Sequence, residues 1–539
     1  MAAKTDPLPP RLDRTTDGLL AATAEHPQLD YVRRRLESLL ALVQVEEDGM
    51  PIEPNGFHVR SLGHWAFSEC SNAFDALGSP SGYCDLDCSF CYERGNPLPM
   101  ERSQLSIAEA ETRLRYFRRD ERRGLPQFRT RLYEEPLLNR HLFEILRRMR
   151  RRFPDVEPQL TTNGRGVDVA AAKALAELKP ITVAVSVNSA NADVRRQLMR
   201  DDRPERALGS LALLREHGLR FIASIVAWPS LPLDDLCETV QFLDRAGAGM
   251  VRVTLPGYSR FFPSPPLEDW RTHWAHVVTV LRPLANRLAT PILVSPGLFH
   301  IAPLVPDVAG VAACSPAALA GIRPGDLLRA IDDQPIHTRA DAQRLLCSDN
   351  APGKTRRVRY ERDAATHEVA LAIPLGGGAD WYPYWPAGYP LPARHALGIM
   401  VYEDLDPAWL VEAVRLIRAH GAVRPLLLSS ELLFPIGCAL LERMNGLADV
   451  LGDTRISIRV PRQRFWGGNI IVGDLWTCHD LVEAVRDFKR ESGSDPDLVL
   501  IPSTFARENW VDLLGVPWSA IEQATGCLVE LVPVRQITM

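Results

Sequence analysis

Long apolar runs are missing from this chain. None approaches the roughly 20 consecutive apolar residues that cross a bilayer, and the Met1-Ala2-Ala3-Lys4 start lacks the apolar core of a secretory signal. No membrane partner is expected, and the sequence reads as a soluble, cytoplasmic protein. An excess of one charge is missing too. Lys and Arg number 62 against 67 Asp and Glu, a formal net charge of -5, so nothing in the balance points to nucleic acid. Cysteine is sparse, 10 in 539 residues, which argues against a disulfide framework. Cys70, Cys237, Cys314, Cys347, Cys438, Cys478 and Cys527 are scattered singly and read as reduced core thiols. No short-period repeat is visible, so a solenoid is not expected.

What is present is ordinary globular composition, 46% hydrophobic and 24% charged, in a chain long enough for roughly three domains. Between residues 105 and 260 short apolar runs alternate with amphipathic stretches, the rhythm of β/α units on a parallel sheet. Strands are expected at Phe128–Tyr133, Gln159–Thr162, Ile181–Val187, Phe221–Val226 and Met250–Leu255. Helices are expected at Leu142–Arg152, Val169–Leu178, Glu205–His217, Leu233–Ala246 and Trp270–Leu288, with one more at Leu29–Val45 near the start. A partial or complete β/α barrel follows, with its site at the C-terminal ends of the strands. The segment 297–375 reads as short strands, a helix at Arg339–Leu346 and a charged hairpin. Gly376-Gly377-Gly378 and the Pro-rich stretch after it read as a linker. A second α/β rhythm begins near 397, with strands at Pro425–Leu428, Ile456–Val460, Asn469–Val472 and Leu498–Ile501. The expected organisation is thus 1–55 helical extension, 56–296 β/α core, 297–375 small module, 376–396 linker and 397–539 C-terminal α/β domain.

The chemistry-bearing feature is Cys84-Asp85-Leu86-Asp87-Cys88-Ser89-Phe90-Cys91. Thiolates hold iron-sulfur clusters, and three of them leave a fourth coordination position open to a small molecule. A zinc site completed by His64 or Cys70 is the alternative the residues leave open.

The CxxxCxxC spacing, with an aromatic before the last Cys, resembles the signature of the radical S-adenosylmethionine (SAM) superfamily. The resemblance implies a 4Fe-4S cluster on Cys84, Cys88 and Cys91. It also implies SAM chelated to the open iron and reductively cleaved to a 5'-deoxyadenosyl radical, with an electron from a flavodoxin or ferredoxin donor. It further places Phe90 beside the adenine. Tyr133-Glu134-Glu135-Pro136 stands where the family has two glycines, an acid and a proline; Glu135 and Pro136 match. Leu160-Thr161-Thr162-Asn163-Gly164 resembles the end of the family's third strand, where Asn163 either meets cofactor or substrate or serves as a helix cap or a turn with Gly164. The resemblance places ribose and carboxylate contacts near Ser186 and Asn188. Arg252 and Thr254, on one face of a later strand, are weaker pocket candidates.

Ala313-Cys314-Ser315-Pro316-Ala317-Ala318-Leu319-Ala320-Gly321-Ile322-Arg323-Pro324-Gly325-Asp326-Leu327-Leu328 resembles a bacterial PDZ domain. Such domains bind peptides by strand addition or serve as architecture, and Gly297-Leu298-Phe299 is the best candidate for a carboxylate-binding loop. The tail around Val460–Leu475 resembles an uncharacterised domain found with PDZ and radical SAM modules in proteins assigned as Fe-S oxidoreductases. There PDZ commonly precedes the cysteines, and here it follows. Arg462, Arg464 and Trp466 beside Gly467-Gly468 form either an anion- or ring-binding surface or a plain turn. The function implied is radical chemistry on a small molecule or peptide of unknown identity. The alternative is an Fe-S scaffold or redox sensor that recruits partners through its PDZ and C-terminal modules.

Overall fold

The computed structural model describes residues 45–47, 50–52, 81–97, 104–116, 135–154, 158–263, 269–295, 304–348, 350–375, 396–402, 404–405, 409–431, 434, 437–438, 452–502, 505, 511–532, 534 and 536–537. The expected strand Phe128–Tyr133, the loop Gly297–Phe299, and His64, Cys70, Tyr133 and Glu134 lie outside them, as does most of the expected Leu29–Val45 helix. Val45 itself opens a short antiparallel hairpin, β1 (Val45–Glu47) with β2 (Met50–Ile52).

Five parallel strands follow in sequential order: β3 (Gln159–Thr162), β4 (Thr182–Ser186), β5 (Arg220–Val226), β6 (Val251–Thr254) and β7 (Ile292–Ser295). Strand β4 is buried at every position but Ser186, as its unbroken apolar run demands of a strand covered on both faces. Helices α1 (Ile107–Tyr116) and α2 (Leu142–Arg152) precede the sheet. Helices α3 (Val169–Ala176), α4 (Ala192–Met199), α5 (Pro204–Glu216), α6 (Leu233–Ala246) and α7 (Trp270–Ala285) connect the strands. Their apolar faces, with Leu175, Leu214, Val240, Leu243 and Trp274 almost wholly buried, form one core with the strands. Helix α4 and strand β7 have no counterpart in the sequence pattern. The former is dominated by Arg, Asp and Gln, and the latter is only four residues long.

The middle module is a four-stranded antiparallel sheet, ordered β10-β9-β11-β12, beside a two-stranded pair, β8 with β13. The strands are β8 (Val308–Val311), β9 (Leu327–Ile331), β10 (Gln334–Pro335), β11 (Thr355–Arg362), β12 (Ala365–Ala372) and β13 (Ile399–Val401). Its helices are α8 (Pro316–Leu319), capped by Ser315, and α9 (Arg339–Leu346), which opens on a Thr338/Asp341 capping box. Strand β13 corrects the expected organisation. Ala396, Leu397, Ile399 and Val401 sit in this core, paired to β8, and not at the head of the C-terminal domain.

The C-terminal sheet is parallel, ordered β16-β15-β17-β18, from β15 (Pro425–Leu428), β16 (Ser457–Arg459), β17 (Leu498–Pro502) and β18 (Val529–Val532). Helices α10 (Trp409–His420), α11 (Cys478–Ser492) and α12 (Ser519–Thr525) complete it. The expected strand at Asn469–Val472 is not one. Positive-φ Gly467 and Gly468 turn the chain there, and the bonds of Asn469 go to another domain.

Among the described residues no helix is long and apolar enough to cross a membrane. Cys314 and Cys347 are exposed and not core thiols. Cys478 is a buried one, pushed up to about 12 by burial and by neighbouring Asp512.

Candidate functional site

The cysteine loop lies against the C-terminal ends of the sheet. Ser89 fastens it at its centre, donating through both its backbone N (2.8 Å) and its Oγ (2.9 Å) to the Leu198 carbonyl at the end of α4. Tight turns set the rest, with Cys91 N donating to Cys88 O at 3.2 Å and Arg94 N to Cys91 O at 3.0 Å. Cys84, Cys88 and Cys91 are all half-buried.

All three thiols are held above their ordinary range, chiefly by burial. Cys91 is pushed up to about 11, and for Cys88 the neighbouring Cys91 and Cys84 add to the rise. Three thiolates in such a place repel one another and lack solvation until a cation joins them, which is the chemistry of an iron site. Among the described residues no three His, Cys, Asp or Glu side chains are placed to hold a single metal ion. A four-iron cluster binds each thiolate on a different iron, so its ligands need only surround a common volume. The donor set fits such a cluster.

Glu135 lies 1% exposed behind this loop. Its carboxylate accepts from Thr162 Oγ1 at 2.6 Å, Asn163 N at 2.7 Å and Leu137 N at 3.3 Å, and its own N donates to Tyr83 O at 2.8 Å. Burial still wins over these bonds and pushes it up to about 7. Glu135 therefore ties the end of β3 to the strand-side entrance of the cysteine loop.

Asn163 forms a turn with Gly164. Its Oδ1 accepts from Arg165 N at 2.9 Å, and its Nδ2 donates to Asp85 Oδ1 in the cysteine loop at 2.7 Å. Gly164 follows at φ +86°, where a Cβ would also press on Val185 and Ser210. Asn188 is 1% exposed, at φ 60°, and both ends of its amide are engaged. Oδ1 accepts from Val226 N at 2.8 Å, and Nδ2 lies 3.3 Å from Met199 Sδ. Ser186 and Asn188 do not continue one strand face, because the chain leaves the strand between them. Ser186 is half-buried at the end of β4, next to Ser224 of β5 in register.

Phe90 packs against the main core, its ring 6.5 Å from Trp228, which in turn lies 5.6 Å from Phe262. Thr254 spends its hydroxyl on Ile225 O at 3.2 Å, and Arg252 is half-buried on the same face of β6. In the tail, the Arg462–Trp466 turn is held from within its own domain. Asp480 accepts from Arg464 N at 2.8 Å and Phe465 N at 3.3 Å, and Arg464 pairs with Asp487 at 3.3 Å.

One organising residue escaped the sequence pattern. Arg195, wholly buried on α4, donates to the carbonyls of Asn163 (2.8 Å), Ser186 (2.8 Å) and Val187 (2.7 Å) and pairs with wholly buried Asp201 at 2.8 Å. It gathers the ends of β3 and β4 beneath the cysteine loop. The available signal was an arginine on the same helical face as Leu198 and Met199, both buried.

Residues 79–243 match the model of the radical SAM superfamily, and residues 308–362 that of the PDZ domain. No curated protein matches the chain. Among solved structures it is similar to Streptococcus suis SuiB bound to S-adenosylmethionine, with 18% identity and a TM-score of 0.32, over 40% of this chain and 49% of that one. It is also similar to methylornithine synthase (PylB), with 13% identity and a TM-score of 0.27, over 49% and 76% of the two chains. A third is TsrM from Kitasatospora setae, a radical SAM methyltransferase with cobalamin and a 4Fe-4S cluster bound, at 14% identity and a TM-score of 0.24, over 40% and 43%. The chain spans about half the length of SuiB. The cysteine loop and strands β3 to β5 lie within the stretch that matches the radical SAM superfamily, and the stretch that matches the PDZ domain follows it.

Proposed function

We propose that Cys84, Cys88 and Cys91 hold a 4Fe-4S cluster with one iron open to SAM, and that the chain acts on a small molecule or peptide by radical chemistry. The observation that carries this reading is the trio of half-buried cysteines placed over the ends of a five-stranded parallel sheet. When bound, the cluster supplies the electron that cleaves SAM, drawn from a flavodoxin- or ferredoxin-type donor. The protein's part is to hold and shield. Phe90 and Ser186, both half-buried, are the side chains available to line the adenine and ribose. Glu135, Asn163 and Asn188 set the shape of the strand ends, with their polar atoms committed to the protein. The backbone around them remains to meet the methionine part of SAM. A net oxidation or reduction of the substrate is the reaction type in keeping with the three-module arrangement.

The PDZ domain is proposed to be architectural. Gly310 of β8 lies so close to Pro291, just before β7, that a Cβ there would stand 2.7 Å from the proline ring. The outer edge of β12 is the place for a peptide to add if this module also docks substrate.

The test is anaerobic reconstitution with iron and sulfide, then dithionite and SAM, with 5'-deoxyadenosine quantified beside a Cys84/Cys88/Cys91→Ala variant. Wild type should form deoxyadenosine and the variant none. A wild-type chain that carries the cluster yet forms none, with or without candidate substrates, would make the scaffold or sensor reading the better one.

A further inference from the structure

The C-terminal domain reaches the cysteine loop through a continuous set of contacts. After β6 the chain runs through Pro256, Tyr258 and Ser259 across the open end of the sheet. Ser259 Oγ donates to Gly95 O at 2.5 Å, at the end of the short helical turn that follows Cys91. Packing there is close. A Cβ on Gly95 would stand 2.7 Å from Ser259 Oγ and 3.2 Å from Phe262.

The other side of this segment is held from more than 200 positions away. Asn469 Nδ2 donates to Pro256 O at 2.6 Å, while its Oδ1 accepts from Tyr258 N at 2.8 Å. The backbone N of Asn469 donates to Tyr258 O at 3.1 Å, and Arg260 N donates to Trp466 O at 2.6 Å. Phe465 adds a ring contact, 6.0 Å from Phe261, and Glu431 pairs with Arg271 of α7. Asn469 thus acts like an added strand, satisfying a donor and an acceptor of a segment that has no sheet neighbour of its own.

The turn carrying Asn469 depends on its glycines. Gly467 and Gly468 are both left-handed, at φ 58° and 63°, and a Cβ on Gly468 would run into the Tyr258 carbonyl. Of the three buried side-chain polar atoms without a partner among the described residues, two, Gln463 Oε1 and Trp466 Nε1, lie on this turn. The Asp480 carboxylate holds the turn from its own domain, accepting from Arg464 N and Phe465 N.

We propose that the 463–469 turn forms a wall of the radical site, with Asn469 and Gly468 as positioning residues that hold the cysteine loop in place through Tyr258, Ser259 and Gly95. The C-terminal domain is then part of the site and not an appended module. This rests on the cysteine loop being the cofactor-binding loop, so the experiment separates the two claims.

Hydrogen exchange is measured first on the full, cluster-free chain, in wild type, Asn469→Ala, Gly468→Ala and a control, Gly493→Ala. Gly493 is also left-handed, at φ 66°, in the same domain, but a Cβ there meets nothing within 4 Å. Loss of the Asn469 bonds should speed exchange of the amides at 92–96 and 258–262 by roughly tenfold or more. The control should affect only its own helix end. Unchanged exchange at 92–96 in both interface variants would overturn the proposal, and Asn469→Ala keeps the test open if Gly468→Ala does not fold.

The second reading is the EPR signal of the reduced, reconstituted cluster with and without SAM. The interface variants should alter its response to SAM, and the control, although destabilised in the same domain, should not. A wild-type chain that takes up no cluster would count against the functional reading, while the exchange comparison would still decide whether the turn holds the loop.

Discussion

Two turns in this protein are built from Asn and Gly and are used in opposite ways. In Asn163-Gly164 the side-chain oxygen bonds two residues on, to Arg165 N, and the left-handed glycine follows directly. That bond is local, although Asn163 Nδ2 also donates to Asp85 and its backbone N to Glu135. In Gly467-Gly468-Asn469 the side chain turns away from its own backbone to Pro256 and Tyr258, and the glycines leave room for that approach. A local turn is fixed by the residues that compose it, whereas a docking turn is fixed by what it touches.

The largest test of the first turn is Arg195→Ala. It would take from buried Asp201 the nearer of its two guanidinium partners, Arg165 standing at 3.4 Å on the other side, and would take a donor from the carbonyls of Asn163, Ser186 and Val187. A loss of about 3–5 kcal/mol is expected, the usual cost of breaking a buried ion pair from one side, read from chemical denaturation. A change under about 1 kcal/mol would mean that water or a neighbour replaces the guanidinium.

Asn469→Ala comes next. It leaves Tyr258 N and Pro256 O without their side-chain partner, at about 1–3 kcal/mol for buried groups. Because that loss falls between domains, calorimetry should show the thermal transition broaden or split, not simply shift. A uniform shift would mean that the two domains unfold as one unit without help from this residue.

Asn163→Ala should cost about 1 kcal/mol in global stability through the lost turn and Asp85 bonds, with no splitting. Gly493→Ala, a left-handed helix end free of tertiary contact, should also cost about 1 kcal/mol. These two variants set the scale of losses that do not fall on the 256–262 contact. If Asn163→Ala also splits the transition, the distinction between the turns fails.

The same contrast explains what could be read in the sequence. Strands β3 to β6 and helices α2 and α6 follow from apolar periodicity because their burial repeats along the chain. The cysteine trio and the Asn163 turn are compact motifs, legible from spacing. Arg195 was hidden because a buried arginine on a polar-looking helix is recognised only from the carbonyls it meets. Strand β13 was hidden because it pairs with β8 across some 90 residues of chain, including a Pro- and Gly-rich stretch. Asn469–Val472 looked like a strand because its Asn-Ile-Ile-Val run is apolar and β-branched. Tertiary contact at its first residue and glycines before it override that preference. Asn188 stands at a family position, and the bonds its amide makes to Val226 and Met199 are seen only once strands β4 and β5 are brought together.

The most direct test of the central claim is the metal itself. Iron, sulfide and zinc would be quantified in the anaerobically purified chain, and EPR spectra of the reduced protein recorded before and after adding SAM. About four irons per chain and a signal that changes with SAM are expected from a cluster on three cysteines with one open iron. One zinc per chain with no such signal, or a cluster signal indifferent to SAM, would contradict it.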